Sequence, residues 1–446
     1  MKNTGDFWNS FKESITLKLF MIGFLVLILL IPTSMIRNLV MERETLMNEV
    51  VNEVTSKWGN EQTISGPYLV VPYLEQIKVD DEMKKVRQYL HILPEELFIS
   101  GKMFPKERYR SIYKVVVYKT DLQFSGHFSL PSLQSMNISP ESVVWSEAVV
   151  NIGIPDMRGI NQQIILTINQ REIAANPGIK FSDAVKSGVN MPVGDISQQD
   201  LHFNFTLDIN GGKGLYFEPL GKTTVANLTS SWNAPSFSGA FLPDQRNVSK
   251  EGFTAEWKVL QLNRNYPQVW INNEHRFQDS AFGVELIVPV NHYQQTMRSA
   301  KYAVMFIVLT FLTFFFIEIL KKRPIHTFQY LLVGLSLVVF YSLLLALTEH
   351  MAFALAYLIA ASVIFVMVSL YAWSVLRNIK TTLMFSFILF IIYTFLYTLL
   401  QLMDYALLMG NIGLVIALAL VMYFSRKIKW HTEDNPEEFP RLKPVE

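Results

Sequence analysis

The chain has 446 residues, 50% hydrophobic and 17% charged, with a formal net charge of +1. Soluble domains carry about 25% charged residues, and the deficit here is concentrated in the last third of the chain. A near-neutral chain offers no basic field for nucleic acid. The absence of cysteine excludes disulfides, thiol nucleophiles, iron–sulfur clusters and Cys-ligated zinc.

In chain order, Lys2, Lys12 and Lys18 precede an apolar run at 19–36. A helix needs roughly 20 mostly apolar residues to cross a bilayer, so this run reads as a span. Pro32-Thr33-Ser34-Met35-Ile36-Arg37 contains no small-x-small cleavage site, which favours a retained signal-anchor over a cleaved leader. Leu39, Leu46, Val50, Val54 and Trp58 then fall near helical spacing, with Glu42, Arg43, Glu44, Glu49 and Glu53 on the other face. The span is expected to continue as an amphipathic helix.

Beyond it the period switches to alternation. Strands are predicted over 68–73, 87–93, 111–118, 143–152, 163–168, 201–209, 256–262 and 282–290. Asn210-Gly211-Gly212-Lys213-Gly214 reads as a hairpin turn. Residues 176–199, rich in Gly, Pro, Asn and Ser, are the expected internal boundary or loop. The pattern predicts an antiparallel sandwich or a large curved sheet, and about 260 residues suffice for one β domain or two. The segment has no GxSxG, HExxH or Walker loop. His91, His127 and His202 stand isolated in strand-like runs and read as half-exposed sheet residues; Asp80-Asp81-Glu82 reads as a solvated turn.

Five further spans are predicted at 302–320, 328–348, 351–373, 382–402 and 405–424. Lys321, Lys322 and Arg323 follow the second span, Arg377 and Lys380 lie between the fourth and fifth, and Arg426, Lys427 and Lys429 follow the sixth. With Lys2, Lys12 and Lys18, all fall on one side of an alternating chain, which by the positive-inside rule is cytoplasmic. The expected layout is a cytoplasmic N-terminus at 1–18, an anchor helix at 19–36, a periplasmic β-rich domain at 37–300, five helices at 301–425 and a cytoplasmic tail at 426–446. The fold class is therefore membrane α plus β, with six transmembrane helices (one plus five) and a large antiparallel domain inserted between the first two.

Ionisable residues in spans are functional suspects. Glu349 and His350 sit in the turn between the third and fourth spans, and Asp404 in the turn between the fifth and sixth. If they meet, they form a carboxylate–imidazole cluster able to carry a proton, hold a cation or pin the helices; the alternative is that such turns simply need polar residues. Glu318 ends the second span, with Lys322 as its local i+4 partner, and His326 opens the third. No ionisable residue lies mid-span, which argues against a proton-driven transporter. Ala352, Ala356 and Ala360 make a small-residue face for close packing. No metal set or cofactor motif is present in the sequence.

Several strings resemble the CreD family of bacterial inner-membrane proteins, described as cell envelope integrity proteins. They are Lys57-Trp58-Gly59 with Gln62, Gly66-Pro67-Tyr68-Leu69 and Val71-Pro72-Tyr73; Phe316-Ile317-Glu318; Ile325-His326 with Gln329-Tyr330-Leu331-Leu332-Val333-Gly334; Phe340-Tyr341-Ser342-Leu343-Leu344-Leu345; Glu349-His350 with Phe353, Ala356 and Tyr357; Asp404-Tyr405-Ala406-Leu407-Leu408-Met409-Gly410; and Met422-Tyr423. A Glu precedes the Asp of that Asp-Tyr-Ala motif in the family pattern, whereas this chain has Met403, which weakens any mechanism needing a carboxylate pair. The resemblance implies envelope maintenance, altered colicin tolerance and control by a two-component system, and implies no catalytic residues. The expected function is a non-enzymatic protein of the inner membrane that contacts the lipid bilayer and binds or senses a periplasmic envelope component, with no cofactor, no nucleic acid and an open oligomeric state. The alternative is an ion- or proton-coupled transporter using Glu318, His326, Glu349, His350 and Asp404. A membrane hydrolase resting on the Glu-His pair ranks third.

Overall fold

The computed structural model describes residues 15–79, 82–182, 184–194, 196, 200–272, 274–275, 277–287, 292–321, 324–402 and 405–426. The chain forms two compact units, Met1–Leu46 with Asn291–Glu446, and Met47–Val290.

The first unit is helical. Its helices are α1 (Ile15–Trp58, which runs on into the second unit), α2 (His292–Lys321), α3 (Thr327–Thr348), α4 (Phe353–Leu376), α5 (Ile379–Gln401) and α6 (Ala406–Ser425). All six are long and apolar enough to cross a membrane. α1 has 44 residues, about 66 Å at 1.5 Å per residue, roughly twice the hydrocarbon thickness. The expected continuation of the first span as helix is therefore one unbroken element. α2 begins ten positions before the predicted span, because its first turns carry His292, Gln294, Gln295 and Arg298, which a hydropathy window does not register although they are helical.

Leu25 and Leu29 of α1 are buried in one core with Phe306, Phe311, Phe314 and Leu337. Gly334 explains the fit of α1 on α3. A Cβ there would overlap Leu29 Cδ1 and Phe311 Cζ, so only glycine leaves room for that leucine. On α4 the inward stripe is Ala356, Ala360, Ile364, Val368 and Ala372. Ala352 is exposed because it caps the helix, so the small-residue face starts one turn later than expected. Tyr357 Oη donates to the Tyr393 carbonyl at 2.7 Å and joins α4 to α5. Leu358, Leu370, Phe387 and Leu418 are exposed, as lipid-facing residues are.

The second unit is a two-sheet sandwich. Its strands are β1 (Gln62–Val79), β2 (Glu82–Ile92), β3 (Glu96–Arg110), β4 (Tyr113–Phe128), β5 (Val149–Gly153), β6 (Ile165–Ile168), β7 (Arg171–Ala174), β8 (Asn176–Pro177), β9 (Gly188–Pro192), β10 (Leu201–Gly212), β11 (Gly214–Phe217), β12 (Thr223–Ser230), β13 (Pro235–Gly239), β14 (Gln245–Ser249), β15 (Gly252–Leu260), β16 (Val269–Ile271) and β17 (Phe282–Leu286). One sheet runs β13-β17-β11-β1-β5-β9-β8, with β2 and β16 branching from β1; the other runs β14-β15-β12-β3-β4-β10-β6-β7. Pairing is antiparallel except for β1 with β11 and β3 with β12. On β10 the buried residues Leu201, Phe203, Phe205, Leu207 and Ile209 alternate with outward-facing ones, as a half-buried strand requires. Residues from both sheets, among them Val70, Leu122, Phe205, Phe217, Trp257 and Phe282, share one core, so the segment is one β domain rather than two. The last turns of α1, from Met47 on, belong to this unit: Trp58 Nε1 donates to the Tyr118 carbonyl at 3.1 Å, and Glu53 pairs with Arg110 at 2.8 Å.

Several expectations are corrected here. Residues 210–214 are not a hairpin. β10 pairs with β4 and β6, whereas β11 pairs with β1 and β17, so the chain crosses between sheets. The glycines there serve close approach: a Cβ on Gly211 would overlap the Tyr118 phenol, whose hydroxyl donates to the Gly214 carbonyl at 2.6 Å. Segment 176–199 is no boundary, because it contains β9, buried and paired with β5. The strand expected over 143–152 is interrupted by a 3-10 turn at Trp145–Glu147. Ser111 and Ile112 are the turn before β4. Residues 80 and 81 lie outside the described residues.

Candidate functional site

Glu318, near the end of α2, is 4% exposed. Its carboxylate accepts from Lys18 Nζ of α1, from the Ile325 N–H at 3.0 Å and from Tyr330 Oη of α3 at 2.9 Å. Its salt-bridge partner is therefore Lys18, on another helix; Lys322 lies outside the described residues. Charge-assisted bonds from three chain segments fix this oxygen pair. His326 caps α3. Its Nδ1 accepts from the Phe328 N–H at 3.2 Å, while Gln329 Oε1 accepts from the His326 N–H at 3.1 Å. That reciprocal arrangement is a capping box, which accounts for His326 structurally.

Glu349 ends α3, and its Oε1 lies 3.6 Å from Arg43 Nε of α1. His350 follows, exposed, with its N–H on the Leu347 carbonyl at 3.0 Å. Asp404 and Met403 lie outside the described residues. Lys18 and Arg43 are 25 positions apart on α1 (43 − 18), about 37 Å of helix, slightly more than a hydrocarbon core of about 30 Å. One helix thus brings a basic residue to a carboxylate near each end of the bundle.

In the strand unit, His91 is 1% exposed and stacked on Trp270, ring centroids 5.1 Å apart. It is a core residue, not the half-exposed one expected, because β2 lies between β1 and β16. His127 and His202 are not isolated. The β4–β10 register sets them opposite each other with centroids 5.5 Å apart, and Glu96 approaches His127 Nδ1 at 3.8 Å. Among the described residues no group of three or more His, Asp or Glu side chains is placed to hold a metal.

The most unusual side chain is one the sequence reasoning missed. Glu218 directly follows β11, which runs parallel to β1 as far as the Phe217–Ile64 pair. Its N–H continues the ladder to the Ile64 carbonyl at 3.1 Å. The carboxyl is thereby carried into the domain, 2% exposed, and its Oε2 has no hydrogen-bond partner. Burial, opposed by the Ser65 hydroxyl and reinforced by the charge of Asp279, pushes its pKa up to about 8. It lines a cleft of about 440 Å³ with Thr63, Ser65, Gly153, Val185 and Lys186. The available signal was a carboxylate inside the apolar string Leu215-Tyr216-Phe217-Glu218-Pro219-Leu220: a charge that cannot alternate outward is either paired or placed for use.

One apolar helix before and five after an inserted strand sandwich define a multi-pass integral membrane protein. The chain matches the family described as Inner membrane protein CreD over residues 14–431, and it belongs to that family. It is 33% identical over 420 residues to the Inner membrane protein CreD of Escherichia coli (strain K12), covering 92% of this chain and 93% of that relative. The family description places the protein in the inner membrane and names no reaction.

Proposed function

We propose that this protein is a non-enzymatic support of envelope integrity whose strand domain lies on the periplasmic side and binds or senses an envelope component, while the helices anchor it. The observation that carries this reading is the Glu218 cleft. A concave site with a buried polar group and an open mouth is what a small-ligand module needs. The basic residues Lys18, Lys321, Arg377, Lys380 and Arg426 flank the spans on one side of an alternating chain, which supports cytoplasmic termini and a periplasmic strand domain. The transporter alternative loses support from the ion pairs: Glu318 and Glu349 are taken up by basic residues of α1.

The reading is tested in cells lacking the native gene. A chain without residues 62–286 that still inserts should leave the outer membrane as permeable to N-phenylnaphthylamine as the deletion does. Full restoration by the helices alone would move the function into the membrane unit. A periplasm-dependent reporter should be active when fused after residue 150 and inactive after residue 323.

A further inference from the structure

The Glu218 cleft combines features that together select a ligand chemistry. The first is the unpartnered Oε2 of a carboxyl that is 2% exposed. A buried polar oxygen left without a hydrogen-bond partner costs about 1–3 kcal/mol, so a polar ligand group that reaches it recovers that free energy on binding. The second is polarity confined to a few points. Thr63, Ser65 and Ser187 offer hydroxyls, while Ile154, Pro155 and Val185 supply apolar wall. The third is Lys186, the one basic residue in the described lining, which is exposed at the mouth. The fourth is size, about 440 Å³, within the roughly 300–1,000 Å³ of small-molecule sites.

Resting on the reading of the strand domain as a binding module, we propose that this cleft binds an amino acid or short peptide, its ammonium group on Glu218 and its carboxylate on Lys186. A cationic donor gains most from a carboxyl in a dry site, because the ion pair forms at low effective dielectric and the hydrogen bond is charge-assisted. A simple amine would pair with Glu218 but bring no counter-charge for Lys186, whereas a zwitterion meets both groups. A bare metal ion finds a single carboxyl and no further ligand set among the described residues.

The site couples to protons. The groups that act on Glu218 or feel its charge are Ser65 and Tyr68 from β1, and Tyr266 and Asp279 from the segment after β15; Lys186 shares the cleft lining. Burial raises both tyrosines above their ordinary value, Tyr266 to about 12, so both stay neutral near pH 7, while the Asp279 charge favours an incoming cation. The free site holds Glu218 protonated at pH 7. Binding is then the exchange of one proton: the carboxylic acid and an ammonium become a carboxylate–ammonium pair, and H⁺ leaves to solvent.

The experiment is isothermal titration calorimetry of the full chain in lipid nanodiscs with L-alanyl-L-alanine, its N-acetyl derivative and its C-terminal amide. The free dipeptide should bind. N-acetylation and Glu218→Gln should each weaken binding tenfold or more, and amidation and Lys186→Ala should each weaken it several-fold without adding to one another. The heat at pH 7 should differ between Tris and phosphate by an amount that reports release of most of one proton per dipeptide; this release should vanish near pH 8 and turn to proton uptake at pH 9, where Glu218 is already ionised and the dipeptide's own amine is mostly neutral. No binding of the free dipeptide, or equal binding of the N-acetyl form, overturns the proposal; the ligand comparison needs no variant and is independent of how Glu218→Gln folds. If the dipeptide fails but Glu218→Gln cells show the permeability of the deletion, only the ligand class falls. If the dipeptide fails and Glu218→Gln cells keep a normal barrier, the binding reading of the cleft falls with it.

Discussion

Lys18 and Glu318, 300 positions apart in sequence, form an ion pair in the helical unit that joins α1 to α2. Because Tyr330 and the Ile325 N–H also donate to Glu318, removing this carboxylate strips three donors of their acceptor. Breaking one side of a buried, hydrogen-bonded pair costs on the order of 3–5 kcal/mol. Lys18 is partly exposed, so the lower end applies. Glu318→Ala is expected to lower the unfolding midpoint of the detergent-solubilised protein markedly, and Lys18→Met to do so as well. The double variant should be less damaged than the two losses summed. Additive losses would show that the pair is not coupled.

Arg43 and Glu349 form the corresponding contact toward the other end of α1, at 3.6 Å and with greater exposure of the arginine. A pair of this kind contributes about 1 kcal/mol or less. Glu349→Gln should therefore express normally, shift the unfolding midpoint by a few degrees at most and restore the envelope barrier in a deletion strain. Loss of function with unchanged stability would instead revive the ion-coupled reading of Glu349, His350 and Asp404.

The legibility of this chain follows the range of its interactions. An apolar run of about 20 residues is a local signal, and so the six-helix layout with its inserted strand domain could be read directly. The partner of Glu318 could not, because the sequence offers only neighbours such as Lys322, while the structural partner lies on α1. In the strand domain, alternation exposed β10 but not β3, whose outer half, Lys106-Glu107-Arg108-Tyr109-Arg110, is exposed and charged. The facing of His127 and His202 and the burial of Glu218 both depend on strand register, between β4 and β10 and between β1 and β11, which periodicity within one strand does not carry.

Asp156 holds the entry to the strand domain. Its Oδ2 accepts from the Asn60 N–H at 3.0 Å and from Asn60 Nδ2 at 2.9 Å, and Arg158 donates to both oxygens. The hydrogen bonds from Arg158, aided by the Asn60 N–H, hold its pKa below the ordinary 3.8. A depressed carboxyl stabilises the fold above its unfolded value and loses that contribution as pH falls through the lower folded value. Asp156→Asn is expected to destabilise the domain by about 1–3 kcal/mol at pH 7. The gap between variant and native unfolding midpoints should narrow below about pH 4, and a gap independent of pH would show that the charge plays no part.

Glu218 carries the opposite sign. Burial raises its pKa from 4.5 to about 8, so the folded protein holds a proton that the unfolded chain has released between those values. Stability from this group is fully present below about pH 4.5 and declines as pH rises through about 8. Its loss across the window is on the order of 5 kcal/mol, at about 1.4 kcal/mol per pH unit. Glu218→Gln keeps the shape and removes the titration. In the absence of ligand, the variant should unfold at a higher temperature than the native protein at pH 9 and at a similar or lower one at pH 5. Thermal unfolding at pH 5, 7 and 9 decides the matter: parallel curves for the two proteins would mean that the Glu218 carboxyl is already charged in the folded state, whereas crossing curves place its proton in the cleft.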